Sequence, residues 1–309
     1  MDVLVSEPNV SDHVLVVGRH PLQSYVRFVK SRGASGAKVS ERQLVQDWRE
    51  MQRSIAETNE REIGVADNPQ FIPIPDEMIP TAEEARQQEA TRRSLGRSPF
   101  QWWLVEIDRT VVFQPWVDLS FVREIQASVS KPVSHLNHIR IASGHHMTKP
   151  VVNATQSSED RFVFTSRSTD VRFLGTTLLD PASIQNGPSY GYATHVVAVF
   201  LGSGINCLSA LHINNRLVLM NGTHRAYALR EMGFTHVACL VTHAENEQEA
   251  SGLLPQTVKQ DEARFLAAPR PPLFKDYFDA SVRKIVPTKT ASMLLKLKLK
   301  ESKELIPTP

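Results

Sequence analysis

Cysteine is nearly missing from the chain. Cys207 and Cys239 are the only two among 309 residues, which excludes a disulfide framework and a four-cysteine zinc site and points to reduced core residues in a cytosolic protein. An excess of either charge is missing too: 35 Lys plus Arg stand against 33 Asp plus Glu, a formal net of +2. That balance is not the footprint of a protein that coats nucleic acid over its whole surface, so any positive patch must be local. No apolar run approaches the ~18 residues needed to span a bilayer, and the opening MDVLVSEPNVSDHVLVVG carries acids where a secretory signal carries bases. A cytoplasmic protein with no membrane partner is the expectation. No internal repeat of about 20–50 residues is present, which excludes solenoids.

What is present is unevenly placed. Residues 14–17 (VLVV) form an apolar run, and Pro21 opens a helix that ends at Gly33, following the preference for Pro inside a helix start and Gly just past its end. A second helix is predicted at about 40–57, with Ser40 and Gln43 as a capping box and Leu44, Trp48, Met51 and Ile55 as one apolar stripe. Together residues 1–58 read as a strand-plus-helices module. Prolines at 69, 73, 75 and 80 then mark a linker over 59–99, which carries a polar helix at about 81–95 capped by Thr81 and Glu84. From Phe100 the chain is rich in aromatic and β-branched residues. Strands are predicted at FQWWLVEID and VVF (ended by Pro115), 161–165, 171–174, 194–201, 206–213, 216–220 and 236–242, with a helix after Asp118 and another at 223–232. Strands mixed with few helices predict an α+β domain over 100–245, a small mixed sheet with flanking helices, with an insertion at about 131–193. Residues 246–309 read as a C-terminal extension. Its Lys296, Lys298 and Lys300 alternate with Leu295, Leu297 and Leu299, which fits a strand with a lysine-guarded edge or a basic surface for an anionic partner.

The chemistry concentrates at 215–241, NRLVLMNGTHRAYALREMGFTHVACLV. An apolar strand runs into Asn221-Gly222, a pair that accepts positive φ, and a helix starts at Thr223 or His224 and stops at Gly233. Such a turn offers unpaired backbone N–H groups at the positive end of a helix dipole. His224 and Arg225 add two donors at the same end, one of them permanently charged. The pattern is that of an anion-binding corner, most naturally for phosphate, although a strand–Gly–helix turn with an arginine paired to a nearby carboxylate would look the same.

The segment NGTHRAYALREMG resembles the signature of the ParB/sulfiredoxin superfamily, in which a G-x-x-R or G-x-H-R turn at a helix start binds nucleotide phosphates. VEIDRTVVFQPWVDLSFVREIQ is more loosely similar to the opening of such a domain. The resemblance implies a ParB/sulfiredoxin-like fold with a helical N-terminal extension and a nucleotide, ATP or CTP with Mg, held by Asn221, Gly222, Thr223, His224 and Arg225. It also implies that hydrolysis or phosphoryl transfer could follow binding. Sulfiredoxins carry their nucleophilic cysteine where Thr223 stands, so thiol redox chemistry is not expected. The basic helix-turn-helix that follows the motif in partition proteins has no counterpart in 246–309.

Catalytic candidates are fewer. His135, His138, His145 and His146 cluster in KPVSHLNHIRIASGHHMTKP, a stretch that Gly144 and Lys149-Pro150 make loop-like and that has no carboxylate. No metal site is expected there. A polar lining near the nucleotide is, with His145 as a proton-transfer group beside His224. Among Glu106, Asp108, Asp118, Glu124, Asp170 and Asp180, spacing selects none, but Asp118 follows the Pro115 turn and can both cap a helix and hold a cation. The competing class is a non-catalytic module: a nucleic-acid-associated protein using the Lys-rich tail, a scaffold, or a mobile-element nuclease on the same fold. A homodimer is compatible with either class.

Overall fold

The structure, a computed structural model, describes residues 10–36, 38–88, 91, 99–129, 133–144, 151–168, 171–184, 191–203 and 207–305. In chain order the elements begin with β1 (Val10–Val16), α1 (Leu22–Arg32), α2 (Glu41–Arg61), β2 (Phe71–Pro73), α3 (Ile79–Gln87) and β3 (Gln101–Glu106). They continue with β4 (Trp116–Asp118), α4 (Leu119–Ala127), α5 (His135–Ser143), β5 (Val152–Ser158), β6 (Arg161–Ser166), β7 (Val171–Leu179) and β8 (Val196–Ser203). The last are β9 (Ser209–Ile213), β10 (Arg216–Asn221), α6 (Thr223–Glu231), β11 (His236–His243), α7 (Glu247–Leu253), α8 (Gln256–Lys259), β12 (Arg283–Lys289) and β13 (Met293–Lys298). Helices and several small sheets are mixed, as in an α+β protein.

The chain divides into two compact units, one from Met1–Met147 with Ile205–Thr290, the other from Thr148–Gly204 with Ala291–Pro309. The larger unit is built on a five-stranded sheet of order β10-β9-β11-β3-β2. Its centre is β11, whose Val237–Val241 run is buried throughout, as expected of a strand covered on both faces. β9 and β10 form a hairpin turned by Asn214 and Asn215, both at positive φ (49° and 59°), a backbone that matches strand twist. β9 and β11 are parallel neighbours, and the chain joining them runs through β10 and α6. A second, three-stranded sheet of order β12-β1-β4 places the first described strand between one from mid-chain and one near the end. Leu273, Phe274 and Tyr277, in the segment read as a C-terminal extension, are fully buried.

The helix ends follow local chemistry. α1 lies between Pro21 and Gly33, and Ser40 Oγ accepts from the Gln43 N–H at the start of α2. Leu44 and Ile55 of the α2 stripe are buried, and Trp48 and Met51 pack beside them. Three expectations are corrected. The stretch after Ser134 is helical where a loop was expected: Ser134 caps α5, buried Ile139, Ile141 and Ala142 anchor it, and Gly144 stops it at φ 81°. α3 starts at Ile79 with no side-chain cap, so Thr81 and Glu84 form no capping box; it also buries Ala82 and Ala85. VVF at 111–113 contributes only isolated bridges at Val111, and Pro115 precedes β4 rather than closing a strand.

The smaller unit holds a β13-β6-β5 sheet and a β7-β8 pair. β13 lies at the edge of its sheet with Lys296 and Lys298 exposed and Leu295 and Leu297 half-buried. Among the described residues, no helix is long and apolar enough to cross a membrane.

Candidate functional site

The corner at residues 221–225 is shaped by its backbone. A register shift between Leu219 and Asn221 ends the β9–β10 ladder irregularly, and Gly222 follows in the left-handed region at φ 92°. A Cβ at Gly222 would lie 2.9 Å from Leu208 Cα, so glycine is required both for conformation and for close approach. Gly222 is the N-cap of α6. Among the described residues no side chain caps the helix, no acid stands in its first turn, and the first intrahelical bond runs from the Ala226 N–H to the Gly222 carbonyl. The N–H groups of Thr223 and His224, which have no intrahelical acceptor at a helix start, therefore keep their capacity to bind one.

Arg225 is 6% exposed and turned inward, with Nη1 donating to the Ala142 carbonyl at 3.0 Å. Its charge thus sits at the C-terminal end of α5, where carbonyls accumulate negative potential, and just behind the first turn of α6. It braces two helices and also adds positive field to the corner. Thr223 is buried, and Asn221 is half-buried beside Gly222.

The structure brings His224 and Asp118 together. The Asp118 N–H donates to His224 Nε2 at 3.1 Å, and Phe121 meets the imidazole edge-on at 5.2 Å. Burial lowers the His224 pKa to about 4, outweighing the opposing pull of Asp118. The ring is therefore neutral at neutral pH. Because Nε2 accepts, its proton is assigned to Nδ1, which is left as a donor. The Asp118 carboxylate accepts through Oδ1 from Ser11 Oγ (2.5 Å), Ser120 Oγ (2.7 Å) and the Ser120 N–H (2.9 Å). Burial pushes this carboxyl up, but the bonds from Ser11 and Ser120 and the nearby His13 hold it below its ordinary value. Among the described residues, Oδ2 faces only His13 Nε2, at 3.7 Å.

His13, Ser11 and Thr288 are partners that reading the sequence missed. The Thr288 hydroxyl donates to the Ser11 carbonyl at 3.0 Å, which leaves it to accept from His13 Nδ1 at 2.9 Å. Burial lowers the His13 pKa more than Asp118 raises it, so the Nε2 lone pair faces the carboxylate until a proton arrives. The available signal was Ser11 and His13 at alternate positions of a strand, a polar pair sharing one face.

The remaining candidates lie elsewhere or are committed. His138 is buried, its Nε2 accepting the Ala238 N–H at 3.0 Å, whereas His135 is exposed and 3.3 Å from Glu77. The two do not converge on one point. His145, His146 and Asp170 lie outside the described residues. Glu106 pairs with Arg109, Asp108 is forked by Arg230, and Asp180 caps a short turn. Burial raises the Cys207 thiol and drives Cys239 well above the usual range, so neither is an activated nucleophile. No family model, curated protein or solved structure matches the chain.

Proposed function

We propose that the protein binds the phosphate groups of a nucleotide, ATP or CTP, at the turn from Asn221 to Arg225. The observation that carries this reading is the start of α6: a helix N-terminus reached through a left-handed glycine, without a capping side chain or an acid in its first turn. The N–H groups of Thr223 and His224 would take phosphate oxygens, His224 Nδ1–H would add a neutral donor, and the buried Arg225 would contribute field from behind. The resemblance of NGTHRAYALREMG to the ParB/sulfiredoxin signature points the same way. Asp118 suits a magnesium ion in one respect, since Oδ1 is saturated while Oδ2 keeps lone pairs; a nucleotide-borne magnesium with one protein carboxylate is an ordinary arrangement. Bound magnesium would supply charge neutralisation for hydrolysis or phosphoryl transfer. In that chemistry His224 would hold a proton at Nδ1, and His13 would take one up at Nε2 beside Asp118.

Thermal unfolding with and without ATP or CTP and magnesium tests the binding step. The nucleotide should raise the melting temperature, and His224→Ala should cut the shift by half or more. A shift of equal size in the variant would count against this corner.

A second reading rests on β13. Its exposed lysines give a local basic edge, suited to a nucleic-acid partner or to a scaffold that docks one. DNA retention that falls steeply with salt, survives His224→Ala and is lost on neutralising Lys296 and Lys298 would favour it over the nucleotide.

A further inference from the structure

The larger unit carries a cationic groove apart from the α6 corner. A groove of about 370 Å³ is bordered by Arg19, Arg264 and Arg270 together with His20, Trp48 and Gln52, and no carboxylate is among its described lining residues. We infer that this groove is a binding site for a compact organic anion, a carboxylate or a phosphate monoester with a small apolar body.

The case begins with Arg19, which is 7% exposed. Its Nε donates to Asp276 Oδ2 at 3.2 Å and Nη1 to Asn59 Oδ1 at 2.8 Å, but Nη2 is buried without an acceptor among the described residues. A guanidinium donor taken out of water and left unmatched is costly, and such groups mark a place where a ligand or solvent completes the bonding. Asp276 cannot supply the missing acceptor. It is 1% exposed and already takes Arg270 Nη1 at 2.7 Å, Arg270 Nη2 at 2.5 Å and the Leu273 N–H at 3.0 Å. Arg270 is itself used up by Asp276, Glu62 and the Pro271 carbonyl.

Arg264 is different. Its side chain is 31% exposed, stacks over Phe265 and has Asp261 only at the outer limit of an ion pair, 4.0 Å. In the ion pairs around the groove four cations, Arg19, Arg264, Arg270 and Lys275, share three carboxylates, Glu62, Asp261 and Asp276. Arg19 also borders a void of about 10 Å³. That is roughly the least that holds one water, and a water neutralises no charge, so the groove's positive field stands either way. Burial, and to a lesser extent the charge of Arg264, drives the His20 pKa down to about 3.

The rest of the wall sets the ligand's character. Trp48 Nε1 donates to the His20 carbonyl at 2.8 Å and Gln52 Nε2 to the Gly18 carbonyl, so these donors serve the fold. Pro21, Ile55 and Pro272 add apolar surface. The groove therefore offers both charge and apolar contact, within the volume range of small-molecule sites.

Acetate, benzoate, inorganic phosphate and phenyl phosphate, with benzyl alcohol as the neutral control, test this on the full chain. Binding is read by saturation-transfer NMR and by amide shifts at Arg19, His20, Gln52 and Arg264. Benzoate or phenyl phosphate should bind saturably, about tenfold or more tighter than the bare headgroup, and Arg264→Gln should weaken it about tenfold. Which of the two binds tighter separates a carboxylate ligand from a phosphate one. His224→Ala should change nothing, which keeps this site distinguishable from the nucleotide corner. Three results would overturn the inference: no saturable binding below about 10 mM, equal binding of benzyl alcohol, or binding that Arg264→Gln leaves intact.

Discussion

At the scale of single residues, the corner depends most on Gly222. Alanine there would have to hold φ near 92° and push a methyl to within 2.9 Å of Leu208 Cα. Gly233 has a similar φ of 96°, but a methyl placed on it would meet nothing within 4 Å among the described residues. Gly233→Ala should therefore cost only the left-handed strain, about 1–2 kcal/mol, while Gly222→Ala should cost that and a further ~1–3 kcal/mol of overpacking. Urea unfolding of the two variants checks this; equal losses would show that the contact with Leu208 is dispensable. Gly222, Thr223, His224 and Arg225 were legible from the sequence as one turn because they are contiguous. The inward turn of Arg225 was not, since its acceptor, the Ala142 carbonyl, belongs to a segment that Gly144 and Lys149-Pro150 made look like a loop.

At the scale of elements, sequence reading succeeded where local chemistry is decisive. Pro21 and Gly33 bracket α1, Ser40 starts α2, Asp118 starts α4, and the apolar runs at 216–220 and 236–242 are strands. It failed where a partner distant in the chain decides. β1 owes its position to β12 and β4, and residues 273–277 are core although their neighbours are proline-rich. The lysine alternation at 295–298 gives an element-scale prediction. β13 lies at a sheet edge, and replacing Lys296 and Lys298 by valine would join exposed Leu294 in one apolar outer face. That variant should self-associate with rising concentration in sedimentation velocity, whereas the double glutamate variant should behave as wild type. If both variants stay equally dispersed, the lysines are not edge guards.

At the scale of the whole molecule, three histidines tie stability to pH. Burial holds His138 and His224 at about 4 and His20 at about 3, against ~6.5 in an unfolded chain. Between these limits the unfolded state binds protons that the folded state refuses. Their contribution is therefore complete above pH ~6.5, declines as pH falls, and stops changing below the folded values. His138→Gln keeps an acceptor for the Ala238 N–H and removes one titration. Its unfolding free energy in urea should drop less between about pH 7 and about pH 5 than that of wild type, a difference of about 2 kcal/mol for one group with this shift. Parallel declines would mean that His138 is protonated without penalty in the folded protein.

The central claim is that phosphate meets the first turn of α6, and amide chemical shifts of the isotope-labelled full chain report on it most directly. On titration with ATP or CTP plus magnesium, the resonances of Gly222, Thr223, His224 and Arg225 should move saturably and at the lowest nucleotide concentrations. Saturable shifts confined to residues around Arg19 and Arg264, or no saturable shift at all, would contradict it.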